Sequence, residues 1–125
     1  MSHAYILFFP EEDAQPINSD ALQTMLADRW NYVEFNDAVD STHTLAWTTY
    51  LEKRILGGWV QKGGTAISLE GYLEDAAEFV VWYRATIPIE RRLMLVDTSY
   101  SFGELEITPA LSETGIIQHI IENSE

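Results

Sequence analysis

The chain has 125 residues and a mass of 14.2 kDa, enough for one domain spanning 1–125 and too little for two ordinary ones. Twenty Asp and Glu against seven Lys and Arg give a net charge of −13, which argues against nucleic acid and anionic membrane as partners, because each phosphate contact needs a cation. Cysteine is absent, which excludes a disulfide framework, thiolate-bound zinc and a thiol nucleophile.

The first expected element is a strand, Tyr5-Ile6-Leu7-Phe8-Phe9, whose unbroken apolar run predicts cover on both faces. It ends at Pro10, too soon for a signal-peptide core or a membrane span, so a cytoplasmic protein is expected. Glu11-Glu12-Asp13 reads as an acidic turn, since it lacks the alternating acids and central Gly of a calcium loop. Residues 18–30 read as a helix with Asn18 as N-cap, Ile17 and Leu22 at staple positions, and Leu22, Met25, Leu26 and Trp30 at helical spacing. A short strand is expected at Tyr32–Phe35.

From 45 to 71 the pattern is β. Leu45 to Leu51 is an alternating β-branched and aromatic run, Ile55 to Gln61 follows, and Lys62-Gly63-Gly64 is a turn leading into Thr65 to Glu70. Residues 72–86 predict a second helix, with Glu74, Asp75 and Glu78 near its positive end and Pro88 after its close. At 100° per residue, Leu73, Ala76, Ala77, Val80 and Tyr83 share an apolar face, while Glu74, Asp75, Glu78 and Trp82 share the opposite one. Arg84 falls on the apolar face and is expected to reach a carboxylate such as Glu70 or Asp97. Leu93 to Val96 predicts a buried strand, and Leu105 and Ile107 alternate with Glu104 and Glu106 in a half-exposed one. A last helix starts near Ser112. The order predicts an α+β fold: a single, mostly antiparallel sheet of five to seven strands with about three helices.

The charge is uneven. Residues 1–40 hold eight acids and one base, residues 41–92 six of each, and residues 93–125 six acids and no base. The excess therefore lies in the two ends of the chain, and would form one acidic surface if those ends converge.

No pattern predicts catalysis. His3, His43 and His119 have no second nitrogen or carboxylate at ligand spacing, and no serine lies in a Gly-x-Ser-x-Gly context, so neither catalytic residues, metal nor cofactor are expected. Two features suit protein recognition instead. Trp82 among the carboxylates Glu74, Asp75 and Glu78 combines an aromatic anchor with charges that select a basic partner. The segment Asp97-Thr98-Ser99-Tyr100-Ser101-Phe102-Gly103-Glu104 mixes aromatics, hydroxyls and acids in a turn, as adaptable binding loops do.

The stretch Ile67 to Arg84, with Leu95-Val96-Asp97-Thr98-Ser99-Tyr100 and Leu105-Glu106-Ile107-Thr108-Pro109, resembles immunity proteins of contact-dependent growth-inhibition and related polymorphic toxin systems. The resemblance implies a cytoplasmic antidote that blocks the active site of one cognate toxin domain, with a basic nuclease the expected partner. The surface expected to carry it comprises Glu74, Asp75, Glu78, Trp82, Asp97, Tyr100, Glu104 and Glu106. Two other readings stay open. A small-molecule or regulatory domain would use an aromatic pocket of Trp47, Trp59 and Tyr50, and an enzyme would need His43 or His119 beside a carboxylate in a cleft.

Overall fold

The apolar pentapeptide at the start of the chain forms an interior strand. In the computed structural model, which describes residues 3–12, 14–36 and 43–124, that strand is β1 (His3–Phe8). It is followed by α1 (Ser19–Arg29), β2 (Val33–Asn36), β3 (His43–Tyr50), β4 (Ile55–Gln61), β5 (Ala66–Gly71), α2 (Leu73–Ala85), β6 (Met94–Asp97), β7 (Leu105–Glu106) and α3 (Glu113–Asn123). The described strands make one seven-stranded sheet in the order β2-β3-β4-β5-β1-β6-β7, and every pairing is antiparallel. The α+β class, the single antiparallel sheet and the three helices all stand as the sequence predicted.

The helices share one face of that sheet. Side chains alternate along a strand, and the strand members of the buried core are all of one parity: Tyr5, Leu7, Leu45, Trp47, Leu56, Val60, Ile67, Leu69 and Leu95. Against them lie Leu22 and Leu26 of α1, Phe79, Val80 and Tyr83 of α2, and Ile116 and Ile120 of α3. Phe79, fully buried, is stacked between Trp30 and Trp47, with ring centroids 5.9 Å from each. Side-chain caps open two of the three helices, α1 as the sequence predicted: Asn18 Oδ1 accepts from Ala21 N at 3.0 Å, and Ser112 Oγ accepts from Gly115 N at 3.0 Å, while Tyr72 at the start of α2 gives no side-chain cap.

The other parity faces away from the helices. The pairing register sets Ala46, Trp59, Ser68, Ile6 and Val96 in one row across β3, β4, β5, β1 and β6. Phe8, Ala66, Met94 and Glu106 form the next row. Among the described residues this second face carries no helix, yet its centre is apolar.

Two further details position the rest. Arg84 is buried, and it does not reach Glu70 or Asp97 as expected. Its guanidinium donates to five backbone carbonyls instead, from Ile107 (3.1 Å), Ile87 (3.4 Å), Pro88 (3.3 Å), Ile89 (3.1 Å) and Arg91 (3.4 Å). The chain leaving α2 wraps round the cation, so five carbonyl dipoles replace the missing carboxylate. Gly58 lies directly opposite Trp47 across β3 and β4, and a Cβ there would stand 2.5 Å from the indole. The missing side chain is what lets Trp47 lie flat on the sheet under Phe79. Among the described residues no helix is long and apolar enough to cross a membrane.

Replacing Gly58 with Ala is expected to lower stability by about 1–3 kcal/mol, the usual range for overpacking a filled core. Urea unfolding followed by tryptophan emission measures it, and an unchanged midpoint would show that Trp47 is free to move.

Candidate functional site

The segment following β6 is where sequence and geometry concentrate. Asp97 ends the strand, and one of its carboxylate oxygens, Oδ1, accepts from Ser99 N (3.1 Å), Ser101 N (2.9 Å) and Ser99 Oγ (3.3 Å). The Ser101 hydroxyl donates to the other oxygen, Oδ2. The Asp-x-Ser-x-Ser spacing thus folds into a turn around one carboxylate. Burial would raise the Asp97 carboxyl, but these hydrogen bonds outweigh it and hold the group below its ordinary value. Further along, the buried Phe102 ring pins the segment edge-on against His119 of α3, with centroids 6.3 Å apart.

Between these anchors Tyr100 adopts φ of 55°, the left-handed region that a tyrosine rarely occupies. Its side chain is 61% exposed. A conformation of this kind costs about 1 kcal/mol or more and persists only where neighbours impose it. Here the Asp97 turn and the Phe102 plug impose it.

The segment separates two concavities. Thr98 and Tyr100 face a hollow of about 400 Å³ on the bare side of the sheet, floored by Ile6, Phe8, Ala66 and Val96. Asp97, Ser99 and Ser101 face a cleft of about 500 Å³ on the helix side. His3 and Tyr5 of β1, Leu73 of α2 and Ile120, Ile121 and Ser124 at the end of α3 complete that cleft. The two ends of the chain therefore do meet, at the cleft. Their acids do not all gather there: Asp20 and Asp28 ride on α1, which packs over β2 and β3.

The eight residues expected to form one surface are distributed over the molecule. Asp75, placed on the solvent side of α2 by helical spacing, is buried, and its Oδ1 accepts from Arg54 Nη2 at 2.8 Å. Burial pushes its carboxyl up, Arg54 pulls it down, and Glu78 and Glu74 push it up again, with a net rise. Its Oδ2 has no hydrogen-bond partner. Glu78 is taken by Arg29 of α1 at 2.8 Å, and Trp82 is half-buried against Trp30, its ring edge-on at 4.9 Å. Both therefore join α2 to α1. Glu74 stays exposed near the cleft, where its charge and that of Asp97 both act on Tyr5. Tyr100, Glu104 and Glu106 stay exposed, and Glu106 lies on the bare sheet face, 3.3 Å from Arg92. Of the eight, Glu74 and Asp97 act together on Tyr5, while Tyr100 and Glu106 lie on the bare side of the sheet at opposite ends of β6.

The alternative aromatic pocket does not assemble. Trp47 faces the helices, Trp59 faces the bare side, and Tyr50 sits in a recess by the β3–β4 turn with its hydroxyl donating to Glu34 at 2.9 Å. His119 touches Phe102 and hydrogen-bonds no carboxylate among the described residues; the side chain of His43 lies outside them. No group of three or more metal-ligating side chains occurs among the described residues. Comparison with known protein families, with curated proteins and with solved structures finds no match.

Asp75 and Arg54 should respond asymmetrically. Arg54→Met leaves a buried carboxylate without its counter-charge and is expected to cost about 3 kcal/mol at pH 7. Asp75→Asn keeps an acceptor for Arg54, whose charge is half-exposed and solvated by water, costing less than about 1 kcal/mol. The sign with pH follows from the raised Asp75 carboxyl: protonation removes the buried charge, so the Arg54→Met deficit shrinks as pH falls towards the ordinary carboxylate range. Denaturant melts of both variants from neutral to acidic pH measure this, and equal costs at all pH values would show that the pair is not effectively buried.

Proposed function

We propose that this chain is a non-catalytic cytoplasmic immunity protein that neutralises a basic toxin domain, a nuclease by preference, and docks through the segment from Asp97 to Glu106. The observation that carries this reading is Tyr100, a strained and exposed aromatic at the rim of an apolar hollow on a bare sheet face. Strain maintained at an exposed side chain adds nothing to the core and is a recurring mark of a contact residue. Tyrosine beside an apolar hollow supplies the kind of rigid anchor that dominates interface energies.

Charge supports the choice of partner. Glu70, Glu104 and Glu106 stand around the bare face and its neighbouring turn, with Arg92 already paired to Glu106. A partner with a cationic rim gains steered association there, and an anionic partner is repelled. A nuclease active site has such a rim because it holds phosphate. The resemblance noted in the sequence points the same way. Covering that site with an acidic surface would exclude the substrate by both bulk and charge.

On this reading the adjoining gene is expected to encode a basic toxin domain, and the Glu104→Lys/Glu106→Lys double variant is expected to associate with it about tenfold more slowly at low salt and to protect a toxin-expressing host less well. Surface plasmon resonance at two salt concentrations reads the rate. Unchanged association and protection would remove this strand from the interface, and an adjoining gene without such a domain, or failure of the wild-type chain to co-purify with it, would remove the reading altogether.

A further inference from the structure

We infer that the cleft on the helix side of the Asp97–Gly103 segment binds an organic cation: an ammonium or guanidinium head on an aliphatic stem. The inference goes beyond the docking surface: the two share Asp97, but the cleft opens on the helix side of the segment and the Tyr100 hollow on the bare side.

Tyr5 gives the first indication. Only 3% of the residue is exposed, it lines the cleft, and its hydroxyl makes no hydrogen bond with any described residue. The ring is buried, while the hydroxyl opens into the cleft with no protein partner among the described residues. It presents a free acceptor there, and its proton stays on: burial, then Asp97, then Glu74, push the phenol up to about 12.

The field around that oxygen gives the second. The carboxylates of Asp97 and Glu74 both act on it, and among the described residues the cleft lining holds no Lys or Arg, with His3 its one basic side chain. Asp97 is satisfied by serine hydroxyls and amides, which are neutral, so its negative charge persists undiminished. An anion would have to sit beside two like charges. The first turn of α2 does open here with its positive end, but that turn already carries Glu74 and Asp75.

Shape gives the third. Leu73, Ile120 and Ile121 provide an apolar wall on one side of a 500 Å³ space, against Tyr5 and Asp97 on the other. An alkyl stem can lie along the wall while the head reaches the phenol oxygen, in the field of the Asp97 and Glu74 carboxylates. Such a head can belong to a free amine or to a Lys or Arg of a bound protein, and the chemistry at the cleft is the same.

The test is an amide-resonance titration of the whole ¹⁵N-labelled chain with four probes: N-acetyl-arginine methylamide, putrescine, neutral N-acetyl-citrulline methylamide and acetate. The arginine derivative is expected to bind at about millimolar affinity or tighter, shifting the amides of Tyr5, Leu73 and Ser101. The citrulline derivative, which lacks the charge, is expected to bind about tenfold more weakly or worse. Tyr5→Phe and Glu74→Gln should each weaken the arginine derivative about threefold or more, the loss of one hydrogen bond or one charge, while melting temperatures stay close to wild type. Putrescine binding as tightly as the arginine derivative assigns the cleft to a free amine, and preference for the arginine derivative assigns it to a protein side chain. Equal binding of the citrulline derivative or acetate, or no shift at the cleft amides, overturns the inference. Toxin binding is read separately, because Tyr5 and Glu74 lie outside the Tyr100 hollow.

Discussion

Insertion of β1 between β5 and β6 is the constraint on which the rest of the molecule depends. It joins the meander β2 to β5 to the hairpin-like pair β6 and β7, and its own pairings reach far along the chain, from Phe8 to Ala66 on one side and from Tyr5 to Asp97 on the other. Without it Leu7 and Tyr5 would not meet Ile67, Leu69 and Leu95, and the helices would have no continuous floor. The same strand serves both concavities. Its alternation sends Tyr5 to the cleft and Ile6 and Phe8 to the hollow, so one six-residue strand sets the geometry on either side of the Asp97 turn.

The net charge of −13 acquires a more specific meaning from this arrangement. Several acids are structural: Asp75 answers Arg54 under α2, Glu78 ties α2 to α1, and Asp97 gathers the turn around itself. Arginine is used in the same way, since Arg84 organises the exit from α2 through five carbonyls and Arg91 lies 3.6 Å over the Phe9 ring. The acids left at the surface around β7, the bare face and the cleft then meet few cations, and the protein presents a field that favours a positively charged partner. Solubility alone does not require that the bare face also be apolar at its centre.

The elements were legible because their patterns are local. The unbroken run at β1, the alternation through β3 and the Asn18 and Ser112 caps each announce their element within a few residues. What was not legible depended on contacts distant in sequence. Asp75 looked solvent-facing because a helical wheel sends a carboxylate outward, and its partner, Arg54, sits in a turn 21 residues away. Trp82 looked like an exposed anchor, but Trp30 covers it. Arg84 was correctly read as out of place on an apolar face, while its partners are carbonyls that no side-chain pattern reveals. The segment after β6 stands out in the sequence by its mixture of Tyr, Ser, Phe and Asp. Its left-handed tyrosine and the contributions of Tyr5, Ile6 and Phe8 from the opposite end of the chain do not, because strand order is invisible in a single sequence.

The central claim is that Tyr100 is held in an unfavourable conformation for the sake of a contact. Replacing it with glycine separates fold from function, since glycine accepts the left-handed region without strain but offers no ring. Paired measurements of unfolding free energy and toxin-domain affinity on Tyr100→Gly test this most directly. Stability is expected to be retained or to rise by about 0.5–1 kcal/mol while affinity falls about thirtyfold, the mark of a hot spot. A loss of stability with affinity unchanged would show that the ring serves the fold and that the partner docks elsewhere.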